Sequence, residues 1–160
     1  MNWKGKRGDM IDRFERFSVA IAEISRAWHK LATEEMKKYG LRGSHAIYLT
    51  TLYSHEDGLT APQLCELCGR DKADVSRMMT IMEEKGLVTK EGDNRNRYRG
   101  VLKLTEDGKR AAEFVQRRAA VAVEHAGGAL TDAQRAVFYE ALEHIAQNLN
   151  DLCKDGLPEE

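Results

Sequence analysis

What this 160-residue sequence has little of narrows it first. Only two prolines are present, Pro62 and Pro158, so long helices can run without interruption. Three cysteines, an odd and small number, argue against a secreted disulfide framework and make the cytoplasm the default compartment. No apolar run approaches the roughly 18–20 residues of a membrane-spanning helix. The opening MNWKGKRGDM is basic but has no apolar stretch behind it, unlike a signal peptide. Neither sign of charge is in excess: 25 Lys and Arg face 26 Asp and Glu, net −1. That balance excludes a protein that holds nucleic acid by bulk attraction. With 42% hydrophobic and 32% charged residues, the composition is that of a globular domain with a real core.

The near-neutral total hides a division along the chain. Residues 1–45 carry 10 basic and 6 acidic side chains, and residues 59–105 carry 9 and 7. Residues 106–160 carry 6 and 11. The C-terminal third is therefore a poor nucleic-acid face, and the first two-thirds remain candidates.

Apolar periodicity is the strongest structural signal. Met10, Phe14, Phe17, Ile21, Ile24, Trp28 and Leu31 alternate spacings of four and three, which predicts one helix over about 9–38, stopped by Gly40. Thr131 to Gln134 reads as a capping box opening a last helix with Phe138, Leu142, Ile145 and Leu149 on one face. An alanine-rich helix lies between Glu106 and Ala126, ended by Gly127-Gly128. The stripes can pack within the chain. Long helices on both sides of a compact middle also favour a helical interface between two copies, and a homodimer is expected. The organisation expected is 1–42 as an N-terminal dimerisation helix, 43–105 as the middle domain, and 106–160 as C-terminal dimerisation helices.

The middle predicts a helix over about 44–55, then a short one opened by Thr60, Pro62 and Gln63 and closed by Gly69. After the tight Gly69-Arg70 turn, Asp71 caps a second helix running to about Lys85. Two helices across such a turn form a helix-turn-helix candidate. Beyond Gly86 the period becomes two: residues 87–91 and 100–104 read as strands joined by the polar loop GDNRNRYR. The fold class expected is mainly α with a small β-hairpin, a winged helix-turn-helix core flanked by terminal dimerisation helices.

Chemistry concentrates on two of these elements. On the helix after the turn, Val75, Met78, Met79 and Met82 share an inward face. Lys72, Ala73, Ser76, Arg77 and Thr80 share the opposite one. Short and cationic side chains on a helix suit a DNA major groove about 12 Å wide. A solvated amphipathic face has the same pattern. In the loop, Arg95, Arg97 and Arg99 alternate along a ribbon, a cationic tip suited to the minor groove, with Asp93 shaping the loop. These residues make double-stranded DNA the expected partner.

The run from Leu59 to Arg110 resembles the MarR family of multiple-antibiotic-resistance regulators. The resemblance rests on Asp74-Val75-Ser76-Arg77, on Glu84-Lys85-Gly86-Leu87-Val88, on Asp93-Asn94-Arg95, and on Leu104-Thr105-Glu106-Asp107-Gly108. It implies a homodimer whose terminal helices interlock and which binds a pseudo-palindromic operator. It further implies repression of nearby genes, relieved by a small aromatic ligand or a stress signal. By the same resemblance a ligand pocket would draw on Trp28, Arg42, His45 and Tyr48.

Cys65 and Cys68 form a C-x-x-C on the short helix. Core packing, a thiol-redox pair and a metal site are all open readings of that spacing, although no second pair completes a zinc set. The five histidines show no ligand spacing. No metal and no cofactor are expected. No nucleophile–base arrangement or phosphate-binding glycine loop appears, and Glu83 and Glu84 point about 100° apart on their helix, so an enzyme is not expected. Two alternatives stand beside the DNA-binding regulator: a winged-helix protein–protein adaptor, and a redox-sensing regulator using Cys65 and Cys68.

Overall fold

The computed structural model describes residues 3–92 and 100–158, with backbone alone for residues 3–11 and 14. Two compact units divide the chain, Met1–Ala119 and Ala120–Glu160. In the first, helix α1 spans Trp3–Met36 and passes through a 3-10 turn to Gly40, which takes the left-handed conformation at φ 63°. The helix starts earlier than its apolar stripe, since no proline interrupts the leading residues. From residue 12 to residue 31 no described side chain of α1 is buried, and only Met36 at its end is fully so.

A 3-10 turn, Gly43–His45, leads into α2 (Ala46–Tyr53). The turn lies against α1 so closely that a Cβ on Gly43 would stand 2.6 Å from Thr33 Oγ1, which only glycine avoids. Strand β1 (Leu59–Thr60) precedes α3 (Ala61–Cys68), whose N-terminus is closed by the Thr60 N–H donating to Gln63 Oε1 at 2.9 Å. Helix α4 (Lys72–Glu84) follows, then β2 (Val88–Glu91) and β3 (Val101–Leu104).

The sheet is antiparallel with order β1-β3-β2, pairing Leu59 with Leu102 and Val88 with Leu104. The hairpin read from the sequence is thus a three-stranded sheet. Its extra strand is two residues long, too short to show a period, and it forms because β3 offers a free edge.

Helix α5 (Glu106–Ala126) begins at Thr105, whose hydroxyl accepts the Gly108 N–H at 3.0 Å and donates to the Gly86 carbonyl at 2.7 Å. Tyr48, Leu49, Leu64, Val75, Met82, Ala111 and Ala112 build the centre of the core between α2, α3, α4 and α5. Arg118 Nε donates to Glu35 Oε1 at 2.8 Å, and Lys38 lies 4.0 Å over the Phe114 ring, joining α5 to the end of α1 and to the 3-10 turn after it.

The second unit holds the end of α5 and helix α6 (Asp132–Asp155). Thr131 caps α6 by accepting the Gln134 N–H. Arg135 clasps Glu124 with both terminal nitrogens, at 2.9 and 3.0 Å. No residue of α6 is buried.

Candidate nucleic-acid interface

The turn between α3 and α4 is made by Gly69 at φ 59°, with the Arg70 N–H returning to the Cys65 carbonyl at 3.0 Å. Asp71 then accepts the Asp74 N–H at 2.8 Å and starts α4 at a defined residue. Val75, Met79 and Met82 are buried, which fixes the rotation of α4 about its own axis. Met78 is only partly buried and receives the Ser44 hydroxyl at 4.0 Å. The face left outside carries Lys72, Ala73, Ser76, Arg77 and Thr80, all exposed. The five residues expected to face DNA therefore share one solvent-facing surface of a helix held by the core.

Within that surface the side chains are partly ordered. Thr80 donates its hydroxyl to the Ser76 carbonyl at 3.0 Å. Arg77 stands 3.5 Å from Asp74 Oδ1, and Asp74 Oδ2 accepts the hydroxyl of Tyr48 at 2.7 Å. The Tyr48 hydroxyl, more than any other group, holds the Asp74 carboxyl below its ordinary range, with Arg77 adding to it. Burial, with Asp74 second, pushes the Tyr48 phenol well above its ordinary value. Sequence reasoning missed this pair. A tyrosine inside an apolar row was the available signal, because a buried phenol requires a partner for its hydroxyl.

Beside α4 stand the wing strands β2 and β3, where Lys103 Nζ lies 2.8 Å from Glu91 Oε2. Asp93, Arg95, Arg97 and Arg99, read as the wing tip, lie outside the described residues.

The four residues expected at a ligand pocket are divided. Tyr48 and His45 are closed into the core, at 0% and 1% exposure. The His45 Nδ1 accepts the Arg42 N–H at 3.1 Å, its Nε2 has no partner among the described residues, and burial pushes its imidazole below the ordinary value. Trp28 and Arg42 are exposed. Cys68 is buried with Sγ 3.6 Å from Thr51 Oγ1, and burial pushes its thiol up. A thiol held protonated is a poor nucleophile. Cys65 is half-buried against the core, and Cys153 is exposed on α6. Among the described residues, no cluster of three or more His, Cys, Asp or Glu could hold a metal ion. Among the same residues, no helix is long and apolar enough to cross a membrane.

Comparison with known proteins converges on this arrangement. The sequence model of the MarR family matches residues 39–97. An uncharacterized HTH-type transcriptional regulator, YybA of Bacillus subtilis (strain 168), is 24% identical over 129 residues, covering 81% of this chain and 85% of the relative. A putative MarR family transcriptional regulator from Listeria monocytogenes, solved complexed with 26mer DNA, superposes with a TM-score of 0.75 at 24% identity over 88% of this chain and 95% of that one. CouR from Rhodococcus jostii RHA1, solved bound to p-coumaroyl-CoA, superposes at 0.70 with 18% identity over 81% and 91%. At these identities the structural likeness establishes the fold.

Proposed function

We propose that this chain, whose residues 39–97 match the MarR family model and whose fold is that of MarR regulators, is a homodimeric, sequence-specific DNA-binding transcriptional regulator rather than an enzyme. The observation that carries the reading is α4. One face is locked in the core, and the other presents Lys72, Ala73, Ser76, Arg77 and Thr80 to solvent, with a two-stranded wing directly after it. Short side chains let the helix backbone approach base edges, and Arg77 can donate two parallel hydrogen bonds to a guanine. The Listeria relative solved with DNA supports the same assignment. Arg95, Arg97 and Arg99, three cations within five residues of the sequence, are the side chains assigned to the minor groove, with Asp93 assigned to shape the wing.

The second copy covers the apolar rows. Ile24, Trp28 and Leu31 of α1 are 45–60% exposed, and Phe138, Ile145 and Leu149 of α6 are 38–47% exposed. Rows of large apolar side chains left in water mark an interaction site on each helix. Residues 1–42 and 106–160 accordingly supply the dimer, and residues 43–105 the DNA contact.

The output we assign is cytoplasmic repression of nearby genes, relieved by a small aromatic ligand or a stress signal. The ligand arm draws its support from CouR, solved bound to p-coumaroyl-CoA. Trp28 and Arg42 are the open members of the ligand set, and a ligand reaching His45 or Tyr48 must open the core.

A gel-shift titration against the DNA flanking its own gene tests the central reading. Binding in the nanomolar range is expected, and Arg77→Ala should weaken it by about 10- to 100-fold. Arg95→Ala should lower the slope of log affinity against log salt by about 1, the equivalent of one phosphate left unneutralised. Failure of the native protein to bind at low salt would replace this reading with a protein–protein adaptor. A screen of aromatic acids, with and without peroxide, for release of the shifted band tests the ligand and stress arms.

A further inference from the structure

Tyr48 is a phenol at the centre of a core that is apolar apart from it and His45, fully buried on α2, and its hydroxyl reaches across to the first turn of α4. The group it meets is out of place for a DNA-contacting surface. Asp74 is a carboxylate on the helix proposed to enter a groove lined with phosphates. Helix capping does not account for the Asp74 side chain, because the side chain of Asp71 already caps α4. The two oxygens of Asp74 face different ways. Oδ2 is held from inside by Tyr48 at 2.7 Å, and Oδ1 faces Arg77 at 3.5 Å on the outside. The Arg77 side chain is 64% exposed, so nothing of the core restrains it directly.

We infer that Tyr48 is a positioning residue for DNA recognition, holding Asp74 so that its outer oxygen orients the Arg77 guanidinium for base reading. The inference rests on the reading of α4 as the DNA-contacting helix. An arginine reads guanine through a planar pair of donors, and a guanidinium already held over a fixed carboxylate loses less side-chain freedom on binding. The same contact turns the negative charge of Asp74 inward and neutralises it against a cation, so the acid does not confront the phosphates. Without the Tyr48 hydroxyl, Asp74 turns freely into solvent and Arg77 has no fixed partner.

The test starts from duplexes that the native protein selects out of a random pool. Dissociation constants are then measured by fluorescence anisotropy for one selected duplex and one scrambled duplex of equal length. Tyr48→Phe removes one oxygen and keeps the ring. It should cut the ratio of the two affinities about 10-fold, chiefly through the selected duplex. Asp74→Asn leaves an acceptor for Tyr48 but turns an N–H toward Arg77. It should lower the same ratio with the Tyr48 contact intact, and thus keeps the test valid if the phenylalanine variant folds poorly. Arg77→Ala is the reference. If it collapses the ratio while both other variants preserve it, Tyr48 is structural only and the inference is overturned, with the DNA reading intact. If Arg77→Ala also preserves the ratio, α4 is not the reading helix, and the inference falls with that assignment.

Discussion

Between Met36 and Val115 lies every buried apolar residue among the described ones, whereas α6 has none. Both regions are helical and both carry apolar rows, yet they use them differently. In the first, Leu64, Val75 and Met82 meet side chains from other elements and are shut off from solvent almost completely. In the second, Phe138, Leu142, Ile145 and Leu149 keep between 38% and 47% of their surface in water. A helical stripe therefore says that a face wants burial, without saying what buries it. The region proposed to contact DNA closes its core with Met36 and Leu41 on one side and Ala111, Ala112 and Val115 on the other, and the outer helices keep a face for the proposed second copy.

The sharpest way to break this contrast is to damage each side in turn. Leu64→Ala empties a fully buried site and should cost about 2–5 kcal/mol in urea denaturation, taking DNA binding with it. A cost below about 1 kcal/mol would mean that the region is looser than its burial shows. Placing charge on α6 with Phe138→Asp and Ile145→Asp should leave the circular dichroism of the chain close to native. Sedimentation equilibrium should then report a dimer for the native protein and monomers for the variant at the same concentration. An unchanged dimer would remove α6 from the interface.

The smallest effect is a pH dependence confined to the first region. Burial keeps the folded His45 imidazole below its ordinary value, so the unfolded chain takes up the proton first. Stability is then fully present above the unfolded value of about 6.5 and declines as pH falls toward the folded one. Urea midpoints measured from about pH 7.5 to about pH 5.5, a window that brackets that value, should fall more for the native protein than for His45→Gln. Parallel curves would show that another group sets the slope.

How much of this was legible depended on the range of the interaction. Thr60, Asp71, Thr105 and Thr131 all stand at helix starts, because capping joins residues three apart and is written locally. The inward face of α4 followed from period alone. Strand β1 was invisible because its pairing comes from β3, about forty residues later. The Tyr48–Asp74 contact spans 26 positions with no pattern linking its ends. The ligand set fared differently again: resemblance grouped four residues, but packing closes two of them in and leaves two outside.

The junction at Thr105 bears on how this chain can vary. Its one hydroxyl serves a carbonyl just past the end of α4 and an amide at the start of α5 at the same time. Only serine and threonine carry an oxygen on Cβ that donates and accepts together. Valine has the same shape and neither capacity, and aspartate could satisfy the amide while repelling the carbonyl. Sequence drift at this position is therefore narrowed to two residues by geometry alone, although the side chain has no part in the proposed DNA-facing surface of α4.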